Sequence, residues 1–129
     1  MSFISDNMVD KDQMLDKAEN VNADLVMDSG NVVIFKINDY EAMQEMGCYS
    51  NWCFSQAGSE EHWENYAHLG YVYVIYNLNV QTEDARFLMV YLPNVGDLFM
   101  SNNQRYEEVY GESGDLYLHS IGIDSNKLR

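Results

Sequence analysis

The chain has 129 residues and a mass of 14.9 kDa, enough for one hydrophobic core and too little for two independent domains. Apolar residues make up 47% and aromatics 13%, which excludes a chain left disordered for want of surface to bury. Seven Lys and Arg stand against 21 Asp and Glu, a formal charge of -14, so direct binding to nucleic acid or an anionic membrane is disfavoured and a basic partner surface is favoured.

The first elements are helix and hairpin. Ser5 or Asp6 offers an N-cap for a short helix carrying Met8, Leu15 and Ala18 at near-helical spacing. ADLVMD and NVVIFKI flank the turn Asp28-Ser29-Gly30-Asn31, which predicts two antiparallel strands. Asn38 or Asp39 then caps DYEAMQEM, with Tyr40, Met43 and Met46 on one face and Gly47 as a left-handed stop. Ser59 opens SEEHWENYAHL, in which Trp63, Tyr66 and Ala67 share a face at i, i+3, i+4 before Gly70 closes the helix.

After Gly70 the period shortens. YVYVIYNL and ARFLMVYL are dense in β-branched and aromatic residues around the polar NVQTED, and read as a central hairpin. Pro93-Asn94-Val95-Gly96-Asp97 turns the chain into a short strand LFM. Ser101 is placed to cap a helix over NNQRYEEVY ending at Gly111, and GDLYLHSIGI alternates loosely, as a further strand or edge segment would.

Those motifs carry a resemblance from about Ala23 to Asn103. ADLVMD, NVVIFKI and DYEAMQEMG, then Trp52-Cys53 in SNWCFS, Trp63, Tyr66 and Gly70, then VYVI, and RFLMVYL leading into LFMSNNQ resemble a small α+β module of bacteriophage proteins. Ser50-Asn51 stand where that family carries Thr-Lys before its Trp-Cys. The resemblance implies a phage or prophage origin, where small acidic proteins serve to block host enzymes.

Three constellations bear on chemistry. Cys48, Cys53, His62 and His68 give C-x4-C-x8-H-x5-H, but the connector is short for a zinc site and histidines six apart on a helix point about 240° apart. Cys53 with His62 or His68 is the enzyme reading; the surrounding acids raise a thiol's pKa and oppose it, and a Cys packed beside Trp52 is the commoner arrangement. Glu60, Glu61 and Glu64 read either as an acid/base or metal group or as first-turn acids favoured by the helix dipole. No nucleotide-binding, calcium-loop or hydrolase-elbow motif occurs. No cofactor and no metal is expected.

Charge is the remaining signal. Residues 1–65 hold 13 acids and 3 bases, whereas residues 66–129 hold 8 and 4. Asp6/Asp10, Asp12/Asp16, Glu41/Glu45 and Glu60/Glu64 are four apart, a spacing at which like charges cost a helix a few tenths of a kcal/mol each. Solubility accounts for such a surface; so does imitation of a phosphate backbone, which needs several segments converging because a duplex carries one charge per ~1.7 Å.

Together these features predict one α+β domain: a twisted antiparallel sheet of about five strands under three or four short helices. It comprises an acidic helical segment over 1–22, a core module over 23–103 and a C-terminal extension over 104–129. Val33, Phe35, Val72, Val74, Phe87, Met89 and Tyr91 are expected to point inward, under helices bearing Tyr40, Met43, Trp63 and Tyr66, with Trp52 and Cys53 as loop anchors. The expected function is stoichiometric inhibition of a host nucleic-acid-binding defence enzyme, such as a CRISPR effector or restriction nuclease, in the bacterial cytoplasm. Asp10, Asp12, Asp16, Glu41, Glu45, Glu60, Glu61 and Glu64 would cover its basic surface, with Tyr49, Tyr106 and Tyr110 as candidate contact aromatics. A nuclease immunity protein or antitoxin, a small cysteine enzyme, a virion component and a homodimer remain alternatives.

Overall fold

The computed structural model describes residues 10–47, 60–68, 70–80, 85–93 and 96–128. Ser5, Asp6, Met8, Cys48, Tyr49, Trp52, Cys53 and Ser59 lie outside them. The described residues form an α+β fold around a five-stranded antiparallel sheet in the order β1-β2-β3-β4-β5. The strands are β1 (Ala23–Asp28), β2 (Val32–Ile37), β3 (Val72–Asn77), β4 (Leu88–Leu92) and β5 (Asp97–Met100). The helices are α1 (Lys11–Glu19), α2 (Tyr40–Met46), α3 (Glu60–Ala67), α4 (Tyr106–Tyr110) and α5 (Gly114–Ser120). None is long and apolar enough to cross a membrane.

Both faces of the sheet are covered. Met14, Ala18, Ala42, Met43, Met46 and Trp63 of α1, α2 and α3 pack on Val33, Phe35, Val72, Val74 and Tyr76. On the opposite face, Tyr106, Tyr117, Leu118, Ile123 and Leu128 pack on Ile34, Tyr73, Ile75, Met89 and Tyr91. Strands β3 and β4 are therefore buried at every position, the near-continuous apolar run expected of a sheet covered on two sides.

This two-sidedness corrects the expected inward set. Met89 and Tyr91 are buried, but against the second layer, because β4 pairs Met89 with Ile75 and Val90 with Val74. Leu88, Val90 and Leu92 face the α1–α3 layer instead. Phe87 reaches that layer from a 3-10 turn (Ala85–Phe87), not from the strand, so the alternation assumed from Phe87 to Tyr91 breaks at Leu88.

Helix boundaries show where local chemistry prevails. Helix α1 begins after Asp10, not Ser5 or Asp6: Asp10 Oδ1 accepts from the Gln13 N–H at 2.8 Å, and the Asp10 N–H donates to Gln13 Oε1 at 3.2 Å, a reciprocal cap that satisfies two otherwise orphaned donors. Asp39 caps α2 by accepting from the Ala42 N–H at 2.8 Å. Gly47 follows with φ -106°, not in the left-handed region, and Tyr76 Oη donates to the Met46 carbonyl at 2.6 Å, tying that helix end to the sheet.

The C-terminal region departs most from expectation. Residues 101–104 form a turn in which Asn102 Oδ1 accepts from the Gln104 N–H, so the residue that precedes α4 is Arg105, not Ser101. Gly111 ends α4 at φ 73°, the left-handed conformation that glycine adopts without penalty. The tail is helix α5, not a strand: Ser113 Oγ accepts from the Leu116 N–H, and Gly114, Tyr117 and Leu118 are buried at i, i+3, i+4 while Leu116 points outward. A Cβ at Gly114 would lie 2.9 Å from Leu98 Cβ, so glycine permits α5 to dock on β5. The fifth helix therefore exceeds the three or four expected.

Buried polar groups couple the C-terminal layer to the sheet. Asn77 Nδ2 donates to Tyr117 Oη at 2.9 Å while its Oδ1 accepts from the Asn79 N–H, and Tyr91 Oη donates to Asp115. These bonds select one docking geometry for α5, because an unpartnered buried hydroxyl or amide would cost about 1–3 kcal/mol.

Candidate functional site: an acidic helical layer

The sheet divides the charge. Asp10, Asp12, Asp16, Glu19, Glu41, Glu45, Glu60, Glu61 and Glu64 are all exposed, and all belong to or cap α1, α2 or α3, the three helices that share one face. Against these nine carboxylates the same helices carry Lys11 and Lys17. Lys11 Nζ lies 2.7 Å from Asp28 Oδ1, and Lys17 Nζ lies 3.6 Å from Glu45 Oε2, a pair that links α1 to α2. The α4–α5 layer is acidic too, though less so: Asp97, Glu107, Glu108, Glu112, Asp115 and Asp124 stand against Arg86, Arg105 and Lys127, with Arg105 bridging Asp97 and Glu108 and Arg86 lying 5.1 Å from the Tyr110 ring centroid.

The expected partner-binding residues are thus gathered on one side, with differences in role. Asp10 is committed to capping α1 and precedes the helix, and Tyr49 lies outside the described residues. Asp12, Glu41, Glu60 and Glu61 occupy first helical turns, where the dipole stabilises a carboxylate by about 0.3–1 kcal/mol. Asp16, Glu19, Glu45 and Glu64 stand past the first turn, where the dipole gives them nothing or opposes them. Glu19 closes α1 at the end where a carboxylate is least favoured.

Of the expected structural residues, Trp63 is 7% exposed and anchors α3 in the first core. Tyr66 lies in α3, and its side chain is outside what the structure describes; Gly70 follows that helix at φ 146°. Tyr106 packs between Tyr110 and Tyr117, each ring centroid 4.7 Å away, so it is a core residue and not an exposed contact. Tyr110 is 43% exposed, on the α4–α5 layer. Among the described residues no three His, Cys, Asp or Glu side chains are grouped to hold a metal ion.

One carboxylate of this region is electrostatically set. The hydrogen-bonded Lys11 ammonium, and next the Gly30 N–H, hold the Asp28 carboxyl below its ordinary value of 3.8. A carboxyl with a depressed folded-state pKa contributes stability that is full above the unfolded value and is lost as pH falls through the folded one. Lys11→Met is therefore expected to raise the Asp28 titration toward the ordinary value, read from its side-chain carbon shift by NMR. An unmoved titration would mean that the pair does not persist in solution.

Comparison with protein-family models, curated proteins and solved structures finds no match to this chain.

Proposed function

We propose that this protein acts by binding rather than by catalysis, and that its α1–α3 layer covers the basic surface of a nucleic-acid-binding enzyme. The observation that carries the reading is the set Asp16, Glu19 and Glu64: exposed carboxylates past the first turns of α1 and α3, where the helix dipole gives them nothing or opposes them, on the layer that also holds Glu45, paired with Lys17. Solubility requires net charge but not that concentration on one layer. A surface of this kind competes for the Lys and Arg that otherwise contact phosphates, and long-range attraction accelerates its encounter with them. With the resemblance to a phage module, the proposed target is a host defence nuclease of the CRISPR or restriction class, inhibited one to one.

The test is capture from bacterial lysate on the immobilised chain, with elution first by salt and then by duplex DNA. The expected result is a nucleic-acid-binding enzyme retained at about 0.05 M salt and released by about 0.5 M, where the screening length falls below 5 Å, and released equally by duplex DNA at low salt. Retention indifferent to both, or retention of no nucleic-acid-binding protein, overturns the reading.

A further inference from the structure

Helix α1 ends over an apolar recess. Leu15, Ala18, Glu19, Ala23, Leu25 and Phe35 line it, between α1 and β1, and enclose about 380 Å³, a volume within the ~300–1,000 Å³ of a ligand-sized cleft. Ala18 and Phe35 are buried and form its floor, whereas Leu25, 49% exposed, and the exposed Glu19 stand at its mouth. Glu19 is the one charged residue of these six.

No base of the described chain serves Glu19. Lys17, two positions back, does not face it and pairs with Glu45, and Lys11 is bridged to Asp28. Lys36 lies on the opposite face of the sheet from Phe35, with its Nζ 4.0 Å from the Tyr71 ring centroid. Among the described residues no ion pair or hydrogen bond engages the Glu19 side chain. The helix dipole sharpens the deficit. Asn20 is spent on the Asp16 and Lys17 carbonyls, so the negative end of α1 and a carboxylate meet at the same mouth. A cation placed there is attracted by both, whereas an uncharged group would strip water from Glu19 with no compensating bond.

We propose that this recess is the anchor pocket of the acidic layer: it takes one arginine side chain of the protein partner, with the aliphatic stem against Leu15, Ala23 and Leu25 and the guanidinium on the Glu19 carboxylate. The inference rests on the reading that the α1–α3 layer faces a basic partner surface, and α1 carries that layer up to the recess. Arginine matches both halves of the site. Its methylenes cover apolar surface while its head stays at the rim, and its planar, weakly hydrated guanidinium bonds a carboxylate in two places. A second copy is a poor source, because among the described residues its two arginines are engaged, Arg86 with Tyr110 and Arg105 with Asp97 and Glu108. Glu19 thus weakens α1 in the free chain and finds its partner only in the complex.

The probe is n-butylguanidinium, which carries this stem and head, titrated into the full chain with the methyl resonances of Ala18, Ala23 and Leu25 as the readout. Saturable shifts are expected there, with binding about fivefold weaker for n-butylurea, the uncharged isostere, and about tenfold weaker for guanidinium without the stem. Glu19→Gln should remove the preference for the charged head yet leave the melting temperature unchanged or higher, since it relieves an unfavourable dipole contact. Glu64→Gln, the same change of net charge on α3, should alter nothing at the recess. For the partner that duplex DNA displaces, Glu19→Gln should weaken binding about fivefold. Shifts that are absent, lie elsewhere or ignore Glu19→Gln overturn the proposal. Full affinity of Glu19→Gln for a partner that the triple Lys variant of Glu60, Glu61 and Glu64 loses also overturns it, and leaves the layer reading standing. A partner indifferent to DNA but weakened by Glu19→Gln would support the anchor and strike the layer reading. A dimer in sedimentation that Glu19→Gln abolishes would overturn the proposal by assigning the arginine to a second copy.

Discussion

Replacement of Glu60, Glu61 and Glu64 together by Lys is expected to abolish capture of the nucleic-acid-binding partner while the chain still folds. All three side chains are exposed, and among the described residues none makes a cap bond or an ion pair, so the fold exchanges the favourable dipole of two first-turn acids for an unfavourable one, about 2 kcal/mol in total. Binding loses more. An exposed charge pair is worth about 0.5 kcal/mol, and reversal replaces each attraction by a repulsion of similar size, so three reversals on a basic surface weaken binding by about 100-fold. The control is Glu107→Lys with Glu108→Lys on α4, across the sheet, two reversals against three, which should leave binding within about threefold. Unchanged binding by the α3 variant removes that helix from the interface; equal losses from both variants would show that net charge alone matters. Calorimetric titration at two salt concentrations, with circular dichroism as the folding check, decides between them.

Phe35→Ala is the substitution expected to cost most stability. Phe35 sits mid-strand in β2, fully buried, with its ring edge-on to Tyr76 at a centroid distance of 6.2 Å. Truncation removes the apolar transfer energy and leaves a cavity that the surrounding Met14, Met43 and Trp63 fill only in part, about 3–5 kcal/mol against a typical total of about 5–15. A fall in melting temperature of about 10–20 °C follows for a domain of this size. Tyr71→Ala is the comparison: Tyr71 is 53% exposed and its ring lies 4.0 Å from Lys36 Nζ, a cation–π contact worth about 0.5–1 kcal/mol. Equal, small losses from the two would mean that the α1–α3 layer is not packed on the sheet. Because Met89 is as fully buried on the opposite face, the fold holds two cores, and neither helical layer alone accounts for its stability.

Much of this arrangement was legible from neighbouring residues. The turn Asp28-Ser29-Gly30-Asn31 between two β-branched runs, Asp39 before DYEAMQEM and the glycines after α3 and α4 act within a few positions of themselves, so their effects survive without knowledge of the rest of the chain. The cap formed by Asp10 and Gln13 is equally local, with Ser5 and Asp6 as competing cap residues upstream in the sequence. Composition likewise placed the acidity in the first half of the chain.

What the sequence by itself determined, then, is the identity of most elements, the antiparallel sheet and the sign of the surface. Only the tertiary structure decided that the sheet is covered on both faces, that β4 turns Leu88, Val90 and Leu92 toward α1–α3, and that Leu116 to Leu118 belong to a helix docked through Gly114 onto β5. It also decided that α1, α2 and α3 present their carboxylates on one side and that β1 is left at the edge. The reason is common to all of these: periodicity within a segment states which of its residues are apolar together, but the face they meet is set by strand pairings and helix contacts tens of residues away, where a shift of one position in register reverses every side chain.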